Sequence, residues 1–232
     1  MRIIPLTRGN ETIVDDDDYE RLMKYSWAWV PSTSSLSGEG YAVRKGNKKK
    51  GEPRTVQMHR EILNAPKDRA VDHINIHSLD NRKENLRYAD KQQNAFNRRK
   101  IAVSCTSCYK GVFRRSKPRN LDKPWTSRIR FNGRRIELGV YEDEKTAAAA
   151  YNLASRIFFG DFRHENRKVY ELGQPLMGVL LERIKRYIDR YGWRVDTEAY
   201  HFFYDNSSKV KIITFPYLQE GDDEVASCDA SV

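Results

Sequence analysis

Between Val71 and Arg99 the chain reads VDHINIHSLDNRKENLRYADKQQNAFNRR, and no core can be built from it. Its apolar residues are scattered, while Asp, His and Asn recur at nearly every step. Side chains of this kind compete with the backbone for hydrogen bonds and favour turns and caps over regular elements. Such a segment is either a solvated loop or a folded site whose polar groups converge. The local pattern predicts strand, long loop, strand and helix. Ala70–Ile74 is the first strand, Asn75–Asn85 the loop and Leu86–Ala89 the second strand, and Asp90 caps a helix over KQQNAFNRRK.

If the two strands pair antiparallel, the helix folds back across them. Asp72 and His73 then face Asn94, although twenty-two positions separate Asp72 from Asn94. An oxygen pair from Asp72 and Asn94 suits a hard divalent cation such as Mg²⁺, which keeps several waters and accepts phosphate oxygens. His73, beside it, can take a proton from water. The loop needs fastening, and Asn85 can do that through backbone hydrogen bonds. A cation, a base and a basic surround are what phosphodiester hydrolysis requires.

Charge supplies the basic surround. Arg82 to Arg135 holds 17 Lys/Arg against three acids, a local balance of +14 that leaves −4 for the remainder of a chain of net charge +10. That concentration predicts a polyanion partner, with double-stranded DNA the first candidate. A membrane surface fits less well, because the basic stretch is not one amphipathic helix. No apolar run approaches the roughly 20 residues of a membrane span. Three cysteines make an odd count for a secreted disulfide framework, so the expected compartment is reducing and intracellular, the cytoplasm or nucleoid of a cell or a virus-infected host.

The run VDHINIHSLDNRKENLRYADKQQNAFNRR resembles the ββα-metal motif of HNH endonucleases, specifically the phage and intron-encoded homing type. Upstream, IPLTRGNETIVDDDDYERL, GYAV and VQMHREIL resemble the N-terminal region of that family. The resemblance implies Asp72 and Asn94 as metal ligands, His73 as general base and Asn85 as the structural middle residue. His59 recurs in the family without an assigned role here. The family commonly has Asn-Gly-Asn in the loop, whereas this chain has Asn75, Ile76 and His77.

From Tyr109 the pattern changes to three strands, YKGVFRR, WTSRIRFN and RRIELGVY, the last two joined by Asn132-Gly133, a two-residue hairpin turn. Asp143 opens a helix over EKTAAAAYNLASRIFF. In the second strand Trp125, Ile129 and Phe131 share one face and Thr126, Arg128 and Arg130 the other. Apolar positions can pack on the Ala-rich helix, leaving Arg115, Arg128, Arg130 and Arg135 to project together, and Arg side chains can pair bidentately with guanine. Tyr109 to Asn166 resembles the ethylene-response-factor (APETALA-type) DNA-binding domain, which implies a three-stranded sheet on one helix, laid in the major groove. Phe113, Arg128 and Glu137 differ from the plant pattern, so the plant target sequence does not transfer.

The chain is therefore expected to be α+β. A nuclease module with N-terminal hairpins spans 1–100, a linker 101–108 and the DNA-binding domain 109–166. An extension over 167–232 carries a helix (PLMGVLLERIKRYIDRY), a hairpin (YHFFYD to KVKIITF) and a disordered tail. Leu176, Leu180, Ile184, Tyr187 and Ile188 make a core-packing stripe on that helix. Cys105 and Cys108 lack a second pair and read as two thiols rather than a zinc site. The function expected is a site-directed DNA endonuclease acting as a monomer with Mg²⁺ or Mn²⁺, Arg82 or Arg87 steadying the phosphate. A DNA-binding regulator with a silent nuclease module is the rival, and an enzyme acting on junctions or damaged DNA is the third reading.

Overall fold

Two apolar ends around a Gly-Asn turn pair as β1 (Arg2–Pro5) and β2 (Glu11–Val14), antiparallel, with one 3₁₀ turn at Thr7–Gly9 between them. The computed structural model describes residues 1–32, 40–98, 100, 106–117, 121–169 and 171–195. The chain divides into two units, Met1–Ile101 and Ala102–Val232. Both are mixtures of short antiparallel strands and few helices.

In the first unit, Asp16, Asp17 and Asp18 occupy the first turn of α1 (Asp16–Leu22), where carboxylates complement the helix dipole. The expected helix over DYERLMKYSWAW stops early, at Leu22. Trp27 is buried and its indole Nε1 donates to the Leu22 carbonyl at 2.9 Å, and Pro31 holds Val30 to extended backbone. The segment that follows is strand β3 (Ala28–Pro31), which pairs with β4 (Gly40–Lys45), itself paired with β5 (Thr55–Gln57). A short α2 (Met58–Ile62) follows directly.

β6 (Ala70–His73) and β7 (Leu86–Ala89) form a separate antiparallel pair, with Asp72 opposite Arg87 and His73 opposite Leu86. Asp90 and Gln93 then make a reciprocal capping box on α3 (Lys91–Phe96). The helix ends four residues sooner than the run to Lys100 suggested, with Asn97 as its C-cap. Ile4, Val14, Leu22, Trp27, Met58 and Ile62 share one core with Val71 and Leu86, so the N-terminal hairpins are the support on which β6 and β7 rest.

The second unit carries β8 (Val112–Arg114), β9 (Trp125–Phe131) and β10 (Arg134–Tyr141), with β9 central. Asn132 and Gly133 both have positive φ, as the tight hairpin turn requires. Ile129, Phe131, Ile136 and Leu138 are buried on the face toward α4 (Glu144–Phe159), whose Ala147, Ala148 and Ala150 allow close approach. Gly111 (φ +75) is required here, because a Cβ would lie 2.0 Å from the Tyr151 ring. α5 (Gln174–Tyr191) packs on β10 and α4, burying Met177, Leu180, Leu181 and Ile184. Leu176, at the start of the expected stripe, is exposed. The expected C-terminal hairpin and tail, and Cys105 of the cysteine pair, lie outside the described residues; Cys108 is exposed. No helix among the described residues is long and apolar enough to cross a membrane.

Candidate active site

His73 sits at the end of β6 and is buried, and a chain of hydrogen bonds fixes which of its nitrogens carries the proton. The Thr12 hydroxyl on β2 donates to the Leu79 carbonyl at 2.7 Å, so its oxygen is left to accept, and Asn81 Nδ2 donates to it at 2.7 Å. That orients the Asn81 amide with Oδ1 toward His73 Nε2, 3.2 Å away. Nε2 must therefore carry the hydrogen, which leaves Nδ1 with a lone pair. Nδ1 makes no hydrogen bond among the described residues. Burial holds the imidazole below its ordinary pKa, outweighing the Asn81 hydrogen bond and the nearby carboxylates of Asp72 and Asp80, which act the other way. The arrangement is that of a neutral base.

The loop before β7 is fastened at both ends. Asn85 accepts from the Asn75 backbone at 2.9 Å and donates to the Asp80 carbonyl at 2.8 Å. The backbone of Asn81 donates to Ile13 at 2.8 Å and Ile13 donates to Leu79 at 2.9 Å, sewing the loop to β2. Arg82 grips Asp80 at 2.8 and 2.7 Å and also pairs with Glu84. Burial alone would raise the Asp80 carboxyl, but Arg82 and Asn75 hold it low. Ile76 sits in the loop at φ +62, a left-handed conformation that a β-branched residue rarely takes.

Asp72, on the opposite face of β6 from its sequence neighbour, is 6% exposed. Arg87 holds its Oδ2 through Nε at 2.9 Å and Nη2 at 2.7 Å. The helix residue that touches it is Asn97, whose Nδ2 lies 3.2 and 3.1 Å from the two carboxylate oxygens and 2.7 Å from the His73 carbonyl. Three acceptors around the nitrogen identify it, so the amide oxygen is directed away from them, with no hydrogen bond among the described residues. Asn94, the helix ligand expected from spacing, lies three residues earlier and half-buried, on the same helix face as Asn97.

The donor set is one buried carboxylate with amide oxygens nearby, which fits a hard cation that takes its other ligands from water and phosphate. No group of three or more His, Cys, Asp or Glu that could hold a metal occurs among the described residues, so an ion here would combine Asp72 with amide oxygens, water and phosphate. Arg87 already places a positive charge on Asp72, in competition with such an ion.

His59, for which sequence gave no role, meets His73 edge-on with ring centroids 5.0 Å apart. Tyr41 lies 5.5 Å from the His59 ring and 6.4 Å from that of His73. Burial first, then the neighbouring His73 and Arg60, push the His59 pKa down to about 3, so its ring is neutral too. Arg44, buried and paired with Glu61 at 2.6 Å and Glu52 at 2.8 Å, ties α2 to β4 and sets where His59 stands. Two side chains that touch Asp72 and His73, Asn97 and Asn81, went unread in the sequence. Asn97 is detectable as the i+3 companion of Asn94. Asn81 lies within the polar run, but its partner Thr12 is 69 positions away and carries no local signal.

In the second unit Arg130 and Arg135 are exposed and directly opposite each other, an unfavourable like-charge pair for a solvated sheet. Arg135 pairs with Glu137 at 3.0 Å. Arg128 lies over the Phe113 ring at 3.9 Å, and Arg115 is half-buried beside it in a shared cavity.

No family model matches the chain, and no solved structure matches it. It is 31% identical over 166 residues to an uncharacterized HNH endonuclease of Acanthamoeba polyphaga mimivirus, a match covering 69% of this chain and 76% of that protein. The chain belongs to the HNH endonuclease family.

Proposed function

We propose that this nuclease is a site-directed DNA endonuclease of the homing type, in which β6, the fastened loop, β7 and α3 form the ββα-metal unit and the second unit places the cut. The observation that carries the chemistry is the Thr12–Asn81–His73 chain, which leaves Nδ1 of a buried, neutral imidazole as a base beside the Asp72 carboxylate. His73 Nδ1 accepts a proton from water as its oxygen attacks phosphorus in line with the departing 3′ oxygen. HNH nucleases generally use a divalent ion. Asp72, with the amide oxygens of Asn94 and Asn97, would hold Mg²⁺ or Mn²⁺, which supplies charge stabilisation at the phosphate and the leaving oxygen. Asn85 keeps the loop closed. Of the two arginines expected to steady the phosphate, Arg87 is the better placed, since moving from Asp72 to a phosphate keeps its charge paired. Arg82 is committed to Asp80 and Glu84.

In the second unit, the sheet with Arg115, Arg128, Arg130 and Arg135 is proposed to enter the major groove as an APETALA-type domain, acting on double-stranded DNA as a monomer. The opposed Arg130 and Arg135 support this, because a phosphate or base edge between them removes the repulsion.

The test is cleavage and binding measured in parallel. His73→Ala should lose roughly 10²–10⁴ in cleavage rate while binding the duplex almost as the parent does. Chelator should stop cleavage and added Mg²⁺ or Mn²⁺ restore it. Equal loss of binding and cutting in His73→Ala, or full activity in chelator, would refute the assignment.

A further inference from the structure

β10 is irregular at one place. Its pairing with β9 slips between Glu137 and Gly139, a bulge that bends the strand and leaves a residue without a side chain at the bend. There the second unit has a cavity of about 390 Å³, and three arginines line it: Arg115 after β8, Arg128 on β9 and Arg183 on α5. None of the three makes an ion pair among the described residues. The Arg128 Nε is buried without any hydrogen-bond partner. Glu137, the one carboxylate at the rim, is matched by Arg135 at 3.0 Å, and Thr126 spends its hydroxyl hydrogen on the Gly139 carbonyl at 3.0 Å.

Three arginines lining one cavity put like charges into one region, and an orphaned buried N–H carries a desolvation cost. Both penalties vanish when an anion with several acceptor oxygens enters. A phosphate is the anion that guanidinium forks match best. The cavity is larger than a single phosphate needs, so it admits a phosphate with its sugars attached.

We propose that this cavity holds a backbone phosphate of duplex DNA, and that α5, outside the three-stranded unit and its own helix, extends the DNA interface by supplying Arg183. The proposal rests on the reading that the second unit binds DNA. It gives the C-terminal extension a function: α5 is packed in place by Leu180, Leu181 and Ile184, and its part-buried Arg183 lines the cavity at the bulge.

The experiment is duplex binding by the full chain, without added divalent ions, across a salt series, using several unrelated duplexes of equal length. Removing one phosphate contact lowers the slope of log K against log salt by about 0.9. Arg183→Gln should show that drop with the same fold-loss on every duplex, and Arg183→Lys, which keeps the charge, should restore most of the slope. If Arg183→Gln keeps the parent affinity and slope while Arg130→Gln and Arg135→Gln lose affinity, the phosphate site is wrong and the DNA-binding reading stands. If none of these variants changes binding, the reading of the second unit falls, and this inference with it. A further arm exchanges chloride for inorganic phosphate at constant ionic strength. Displacement of duplex from the parent, and less from Arg183→Gln, is the result expected; inorganic phosphate that binds the parent through Arg183 without displacing duplex would make the cavity a free-anion site and overturn the assignment to DNA.

Discussion

At the scale of single residues, the proposed base His73 is held through two buried side chains, Asn81 and Thr12. Asn81 is 1% exposed, and Thr12 fully buried behind it dictates which way its amide faces. Removing the amide frees His73 to rotate or to shift its proton to the wrong nitrogen. Asn81→Ala should therefore reduce cleavage about 10–100-fold, the range seen for partners that orient metal-ligating histidines, with little change in duplex affinity. Imidazole nitrogen NMR gives an independent reading, and a variant that keeps both its rate and the Nε2–H form would remove Asn81 from this role. His59 makes a different prediction. Its folded pKa of about 3 lies below the 6.5 of an ordinary histidine, so the unfolded chain takes up a proton that the fold refuses. Stability from this source is complete above pH 6.5 and is lost as pH falls toward 3, by about 1.4 kcal/mol per unit. Urea titrations at pH 7, 6 and 5 should show the parent weakening more steeply than His59→Gln. Parallel curves would mean that the buried ring is not the source.

At the scale of elements, the loop between β6 and β7 carries a cost that its hydrogen bonds offset. Ile76 at φ +62 occupies the position where the homing-type loop commonly has glycine, and a left-handed conformation costs a residue with a Cβ roughly 1–2 kcal/mol. Elsewhere alanine is the more stabilising of the two small residues, because glycine loses more backbone entropy on folding. Here the order should reverse, with Ile76→Gly more stable than Ile76→Ala by about 1 kcal/mol in chemical denaturation. The usual order would show that the strain is absent. The same loop shows what the sequence makes legible. Asn-Gly turns, Asp caps and period-two strands act through neighbours, so β1, β2, β6 to β10 and α4 could be read locally. β3 could not, because Trp27 leaves the helical pattern only to reach a core assembled from seven elements, β1, β2, α1, β4, α2, β6 and β7. The contact between Asn97 and Asp72 went unread for a similar reason. Spacing finds the helix face, but only packing against β6 decides which turn meets the carboxylate.

At the scale of the whole molecule, the charge pattern separates two tasks. The +14 segment from Arg82 to Arg135 runs from the β6–β7 site into the three-stranded sheet, so it spans both units. Lys and Arg over 82–100 belong with the nuclease unit, where they would mainly meet phosphates and add affinity without sequence preference. Arg128, Arg130 and Arg135 stand on the sheet, where a lost bidentate contact to guanine should cost about 1–3 kcal/mol and relax preference at one position. A chain ending near Lys100 retains the whole first-unit core and every residue assigned to hydrolysis, so it should still nick DNA, slowly and with little choice of site. The decisive measurement is the distribution of cuts made on one long duplex by the full chain, Arg130→Ala and this truncation. The full chain should concentrate its cuts, Arg130→Ala should broaden them at one base position, and the truncation should scatter them. Identical distributions at equal efficiency would show that the second unit does not place the cut, while leaving the His73 chemistry untouched.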